Sequence, residues 1–512
     1  MILEQKEGGF SRNDVVFFGG FGLAKILIHL AVIGRYGIFR DEFYYLACAG
    51  RLDWGYVDHP PFSVAVLAAW TALFGDSMTA LRVPAILAGA ATVVLAGLLA
   101  RELGGRRFAQ GVACFAVIIA PLYLAVANFY SMNVFEQLIW TILAWLFVRY
   151  LNRGDVRLWL WFGLVAGIGL QNKISVLFFG AGVVVGLLGT AQRRVFLNKE
   201  IWMGGVVAAV LFSPYVIWNS RHDFATLEFM HNAATTKNEP TSPLELFLGT
   251  ILEMHPANAL LWIAGLGYAL IDPVGRRYRA VGIAFVTVFL AFAFSNGKVY
   301  YLAPIMPLML ALGGVAWEQW TAARLKWRLA VLVPMAILGP ALMPMALPLL
   351  STENFTRYQK RIGLAPAPME RHAIGVLPPH FADRQGWREM AEFIGLHYAA
   401  LAPTERQSTA VLVRNYGEAG ALEYFAREVE LPPVLCPHNN YFFWAEPASK
   451  VATLLAYGYR REALEQYFGS VVELGRFTHP YVMPYENDVQ LYVCREPKQP
   501  IGEIWEMLKV FV

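Results

Sequence analysis

The chain has 512 residues, 57% of them hydrophobic and 16% charged, with a mean hydropathy of +0.44. A soluble domain carries roughly 25% charge, so the composition excludes an ordinary soluble protein and predicts an integral membrane protein. The net charge of +4 is small for this length and argues against a nucleic-acid partner.

Residues 1–13 are polar, and the apolar run that follows is too long for a cleavable signal sequence. It predicts a retained transmembrane helix at 15–34. Further apolar stretches predict spans at 80–100, 108–127, 134–150, 158–170, 175–190, 201–218, 246–271, 280–294, 300–317 and 329–350, about eleven in all. Basic residues cluster between alternate spans: Arg101, Arg106 and Arg107, then Arg149, Arg153 and Arg157, then Arg193, Arg194 and Lys199. Arg276, Arg277 and Arg279 follow, then Arg324, Lys326 and Arg328. Positive loops stay in the cytoplasm. The N-terminus is then expected inside, and the loop at 35–79, the polar loop at 219–243 and the tail outside. Function is expected on the extracytoplasmic face.

Within the first loop, 41–50 reads as a short helix, Pro60 and Pro61 break the chain, and 62–74 reads as an apolar helix suited to the interface. Residues 351–379 read as a linker. Helices at 383–401, 418–427 and 461–468 and strands at 409–414 and 451–456 then predict a small α/β domain. The expected division is a transmembrane domain at 1–350 and a soluble domain at 351–512. No internal repeat is visible, which counts against a transporter built from inverted repeats. The cysteines Cys48, Cys114, Cys436 and Cys494 form no CxxC pair. Cys436 and Cys494 share the tail, either as a disulfide or as two separate thiols.

The stretch RDEFYYLACAGRLDWGYVDHPP (40–61) sets Asp41, Glu42, Asp53, Asp58 and His59 among aromatics. Unpaired carboxylates are costly in apolar surroundings, so the cluster points to a water-filled cavity that does chemistry or transport. Blander roles exist for each residue. Asp41 suits a helix start or a pair with Arg40, Glu42 a pair with a base, and Asp58 and His59 a loop stiffened by proline. Lys173 has apolar flanks and needs a partner, such as a phosphate, unless it snorkels to the interface. Lys298, Tyr300 and Tyr301 sit at another outward helix end, where tyrosine is common anyway. Arg82 opens the 80–100 span. His222, His231 and His255 with Glu228 and Glu253 lack the HExxH spacing of a zinc site.

Six separated segments carry a resemblance. They are the 40–61 stretch, LRVPAILAGAATVVLAGLLARELGG (81–105), GLQNKISVLFFG around Lys173, GKVYYLAP around Tyr301, NYGEAGALEYF and HNNYFFW. In this order they resemble the bacterial family 39 glycosyltransferases of the GT-C class, which include protein O-mannosyltransferases and the lipid A aminoarabinose transferase. The resemblance implies a polytopic α-helical GT-C fold with a small extracytoplasmic α/β domain, in the bacterial inner membrane. It implies an inverting enzyme that takes a sugar from a polyprenyl-phosphate donor to a lipid, glycan or protein acceptor. Asp41 would be the catalytic carboxylate, with Asp58 and Glu42 beside it. Lys173, Arg82, Tyr301 and Lys298 would meet the donor phosphate, and His59 and Tyr45 the substrate. A divalent cation, Mg or Mn, is left open. The rival is a lipid or lipid-linked-sugar flippase, which predicts charges spread along several spans; here the spans read as nearly charge-free. A non-catalytic scaffold would leave the acidic loop without a purpose.

Overall fold

The computed structural model describes residues 11–295, 297–364, 371, 373–445 and 451–512. All the apolar stretches are helical there, but not all are single spans. Seven helices among the described residues are long and apolar enough to cross a membrane: Arg12–Leu30, Met78–Glu102, Met132–Arg153, Lys199–Arg221, Gly275–Phe294, Val299–Trp320 and Leu325–Ala346. Two bent pairs raise the count to nine: Val176–Leu188 with Ala191–Leu197 at 111°, and Pro243–Glu253 with Pro256–Leu270 at 109°. Arg107–Ile119 and Leu158–Leu170 have 13 residues each. That is about 20 Å of helix, short of a hydrocarbon core of about 30 Å. Two expected spans break just ahead of a proline, at Ala120 and at His255 (φ 80°), because the residue before proline is pushed out of the helical region.

The chain forms two compact units. The first comprises residues up to Ile33, Arg82–Ser213 and Pro240–Leu349. Its helices meet through small residues, as membrane helices commonly do. A Cβ on Gly186 would lie 2.2 Å from the Ala280 carbonyl oxygen, so Val176–Leu188 and Arg279–Phe294 run in backbone contact. The basic loops are tied together by short contacts. Arg101 and Arg107 reach Asp14 (3.4 and 2.6 Å), and Arg153 and Asn152 reach Glu102. Tyr278 donates to Asn152 (3.0 Å), and Glu318 accepts the Arg106 N–H (2.5 Å). The spans hold more charge than the sequence reading allows. Lys25 and His29 are fully buried; Lys25 donates to the Tyr123 carbonyl (2.9 Å), and His29 bonds those of Lys25 and Leu124.

The second unit comprises Gly34–Leu81, Pro214–Glu239 and Leu350–Val512. The first loop supplies the helices Arg40–Ala49 and Phe62–Phe74. Further along lie five strands: β1 (Thr409–Leu412), β2 (Val434–Leu435), β3 (Thr453–Tyr457), β4 (Phe468–Phe477) and β5 (Val489–Pro497). They form one mixed sheet in the order β2-β1-β3-β5-β4. β1 runs parallel to β2 and β3, and β5 antiparallel to β3 and β4. The expected linker contains a helix, Thr352–Ile362, capped by Ser351 and burying Phe355 and Gln359; 365–370 and 372 lie outside the described residues. Cys436 and Cys494 are separate buried thiols. Cys494 is on β5 and Cys436 directly follows β2. Three strand spacings, on the order of 14 Å, exceed the roughly 7 Å that a disulfide can bridge.

Arg40–Ala49 packs on the helix Tyr416–Phe425. A Cβ on Gly420 would lie 2.8 Å from Phe43 Cβ and 3.0 Å from its carbonyl carbon. Overpacking costs about 1–3 kcal/mol, so Gly420→Ala is expected to lower the thermal midpoint of the purified protein. An unchanged midpoint would show that the two helices separate without cost.

Candidate active site

Arg40, Asp41 and Glu42 occupy the first turn of Arg40–Ala49, where the helix dipole favours carboxylates. The two acids then diverge. Glu42 is fully buried and its Oε2 accepts the Phe39 N–H (2.8 Å), closing the helix start. The Asp41 side chain is 35% exposed. Its Oδ1 accepts the Tyr416 hydroxyl (2.9 Å) and lies 3.7 Å from Arg40 Nε. Among the described residues nothing hydrogen-bonds Oδ2. One oxygen is fixed and the other is unengaged among the described residues, a geometry compatible with general-base chemistry.

Tyr416 is itself held from several sides. Its hydroxyl receives Arg40 Nη2 (3.1 Å), while Arg40 Nη1 donates to the Tyr485 hydroxyl (2.6 Å). Burial pushes the Tyr416 phenol well above its ordinary value, so it stays protonated and donates to Asp41. The ring stacks on Tyr44 (4.6 Å) and on His438 (4.9 Å). Burial lowers His438 to about 3. The imidazole is therefore neutral: Nδ1 accepts the Tyr416 N–H (3.2 Å) and Nε2 donates to the Val512 carbonyl (2.9 Å).

Asp58 joins the same stack. Its Oδ1 accepts the Tyr44 hydroxyl (3.0 Å). The stacked pair Tyr44 and Tyr416 thus holds one carboxylate each. Asn440 Oδ1 accepts the Val57 N–H (2.6 Å) and pins this end of the loop. His59 Nε2 lies 3.9 Å from Asp58, too far for a hydrogen bond. The His59 ring stacks on Tyr45 (4.9 Å), and both are buried. Asp53 accepts Trp218 Nε1 (2.8 Å). A groove of about 470 Å³ lies against the same helix, lined by Leu46, Ala47, Arg51 and Glu423 among others but not by Asp41.

Tyr44 was not singled out from the sequence, and Tyr416 and Asn440 entered there only within the tail motifs. The signal available was the pair of tail motifs NYGEAGALEYF and HNNYFFW, whose polar groups here hold the first loop. Tyr416→Phe keeps the ring stack and removes the donor to Asp41. A hydrogen bond to a charged group contributes about 1.5–3 kcal/mol, so turnover is expected to fall roughly 10- to 150-fold with folding intact. Wild-type turnover would show that Asp41 needs no such positioning.

In the first unit, Lys173 sits in the turn between Leu158–Leu170 and Val176–Leu188. Its Nζ donates to Glu136 Oε2 (2.8 Å) and Asn133 Oδ1 (2.9 Å). It lies 5.4 and 5.2 Å over the rings of Tyr300 and Tyr301. Ser175 donates to the other Glu136 oxygen. Lys173 therefore already has a partner, Glu136, which the sequence reading passed over. The structure brings Lys173 and Tyr301 together, and the Tyr301 N–H donates to the Lys298 carbonyl (3.0 Å). Arg82 is fully buried and donates from Nη1 to the Ile33 carbonyl (2.7 Å).

The histidine set is scattered. His222 stacks on Trp218 (4.1 Å), and Glu228 pairs with Lys509 (3.0 Å). Among the described residues no three His, Cys, Asp or Glu side chains converge.

Residues 58–218 match the family model described as dolichyl-phosphate-mannose-protein mannosyltransferase. Undecaprenyl phosphate-alpha-4-amino-4-deoxy-L-arabinose arabinosyl transferase 1 of Pseudomonas fluorescens is 27% identical over 286 residues, 52% of this chain and 51% of that protein. Lipid A galacturonosyltransferase RgtD of Rhizobium johnstonii is 28% identical over 226 residues, 44% of this chain and 46% of that protein. The chain spans about half the length of these curated relatives. Among solved structures, ArnT from Cupriavidus metallidurans bound to undecaprenyl phosphate matches with a TM-score of 0.61. That match covers 94% of this chain and 98% of that one, at 15% identity. Fold and sequence concur: this is a multi-pass membrane protein of the GT-C fold, related to the dolichyl-phosphate-mannose-protein mannosyltransferases and to these bacterial glycosyltransferases.

Proposed function

We propose that this protein is an inverting glycosyltransferase that moves a sugar from a polyprenyl-phosphate donor to a lipid, glycan or protein acceptor on the outer face of the membrane. The observation that carries the reading is Asp41, an accessible carboxylate with one oxygen fixed by Tyr416 and the other left for a ligand. The named relatives are sugar transferases, one of them named for an undecaprenyl-phosphate sugar, and the matched ArnT structure holds undecaprenyl phosphate. These support the same donor class here.

Asp41 Oδ2 takes the proton of an acceptor hydroxyl as its oxygen attacks C1 of the sugar. The bond from C1 to the phosphate oxygen breaks on the opposite side, which inverts the anomeric centre. Where the acceptor is already ionised, Asp41 orients it instead. The polyprenyl phosphate leaves with its charge, so it needs cations rather than a general acid. Arg82 and Lys173 are assigned that role, with Tyr301 and Lys298 beside them. His59 Nε2, buried and without a hydrogen-bond partner among the described residues, is assigned with Tyr45 to the substrate, and Asp58 to the catalytic group with Asp41. The linked basic loops, read by the positive-inside rule, support an N-terminus in the cytoplasm and a periplasmic C-terminal segment in a bacterial inner membrane.

The test is transfer of label from a panel of radiolabelled polyprenyl-phosphate sugars into the membrane fraction. Transfer from one of them supports the reading. Failure with every donor sets the flippase reading ahead.

A further inference from the structure

A groove of about 710 Å³ opens where the bend after Val176–Leu188 faces the turn before Arg279–Phe294. Arg193, Arg276, Arg277 and Arg279 line it, with Leu188 and Gln192 beside them, and the lining holds no carboxylate. Among the described residues none of the four arginines forms an ion pair. Arg277 and Arg279 donate to the carbonyls of Leu103 and Leu270, at 3.4 Å, and the Arg277 guanidinium lies 4.6 Å over the Tyr278 ring.

Two of the other basic clusters are supplied with carboxylates, Asp14 for Arg101 and Arg107 and Glu102 for Arg149 and Arg153. Here two basic clusters, more than eighty positions apart, are drawn around one cleft by the backbone contact at Gly186 and Ala280. Like charges gathered in this way repel unless an anion sits among them. Leu188 in the lining is apolar and 54% exposed, and on the two adjoining chain segments Leu197 and Val274 are exposed as well. A ligand that satisfies both features has an anionic head and a hydrocarbon body. Guanidinium forks match phosphate oxygens pairwise.

We propose that this groove binds the phosphate headgroup of an anionic phospholipid, with its acyl chains lying on the exposed apolar side chains. The site takes no part in the transfer reaction and stands apart from the assignment of Asp41.

The experiment is native mass spectrometry of the detergent-purified protein titrated with phosphatidylglycerol, phosphatidylcholine or inorganic phosphate. Wild type is expected to retain phosphatidylglycerol in preference to phosphatidylcholine. Each basic residue near an anionic lipid contributes about 1 kcal/mol, or roughly fivefold in affinity. Arg193→Gln/Arg276→Gln should therefore bind about 30-fold more weakly. Arg193→Lys/Arg276→Lys should keep most of the binding, which separates lost charge from lost folding. Arg157→Gln, an exposed basic residue outside the lining, should bind as wild type does. No preference for the anionic lipid in wild type, unweakened binding by the Gln pair, or equal weakening by Arg157→Gln would each overturn the proposal. Inorganic phosphate displacing the lipid at equal concentration would make this a free-anion site, and would overturn it too.

Discussion

Asp41→Asn is expected to fold normally and to transfer sugar about 10²- to 10⁴-fold more slowly, the usual contribution of a positioned acid or base. The replacement keeps the shape of the side chain, and its amide oxygen still accepts the Tyr416 hydroxyl. What it loses is the proton-accepting oxygen and the charge 3.7 Å from Arg40. Arg40 keeps its hydrogen bonds to the Tyr416 and Tyr485 hydroxyls, so the thermal midpoint should move little. Proton removal belongs to the transition state, so kcat and kcat/KM should fall together while the donor binds as before. Turnover within a few-fold of wild type would remove Asp41 as the base. A loss of donor binding with kcat retained would make it a binding residue.

The second large effect is expected at Lys173. Lys173→Met leaves the Glu136 carboxylate, whose side chain is 4% exposed, without its cation. Breaking one side of a buried pair costs roughly 3–5 kcal/mol, a drop plainly visible in thermal unfolding. Lys173→Met/Glu136→Gln removes both charges and should recover most of that stability, since a buried pair is rarely worth more than its neutral replacement. The double variant then separates two roles of the ammonium. If Lys173 also holds the donor phosphate, the recovered protein still shows a KM for donor raised about tenfold or more. Recovery of both stability and KM would confine Lys173 to neutralising Glu136.

The spans were legible because twenty apolar residues in a row have few other uses. Their breaks were less so. Pro256 was visible, but the positive φ at His255 has no local sequence signal. Glu136 was passed over because a single acid in an apolar stretch attracts no attention until its base, 37 positions away, is placed beside it. Asp41 could be singled out because helix starts, acids and aromatics cluster locally. Its partner Tyr416 is 375 positions distant, and no periodicity announces such a contact. Strands β4 and β5 were missed although Val489, Leu491 and Val493 alternate as a strand should; the charges around them masked the pattern. That the first loop folds with the C-terminal segment was likewise beyond local reading.

Arg40 and Tyr485 share a 2.6 Å hydrogen bond across 445 positions of sequence. A ribosome adding about 5–20 residues per second therefore delivers the acidic loop roughly 20–90 s before the tyrosine that steadies it. Throughout that interval the nascent chain can insert its spans but has neither Tyr416 nor Tyr485 to fix the loop. Copies abandoned during synthesis would sit in the membrane with the carboxylate unsecured.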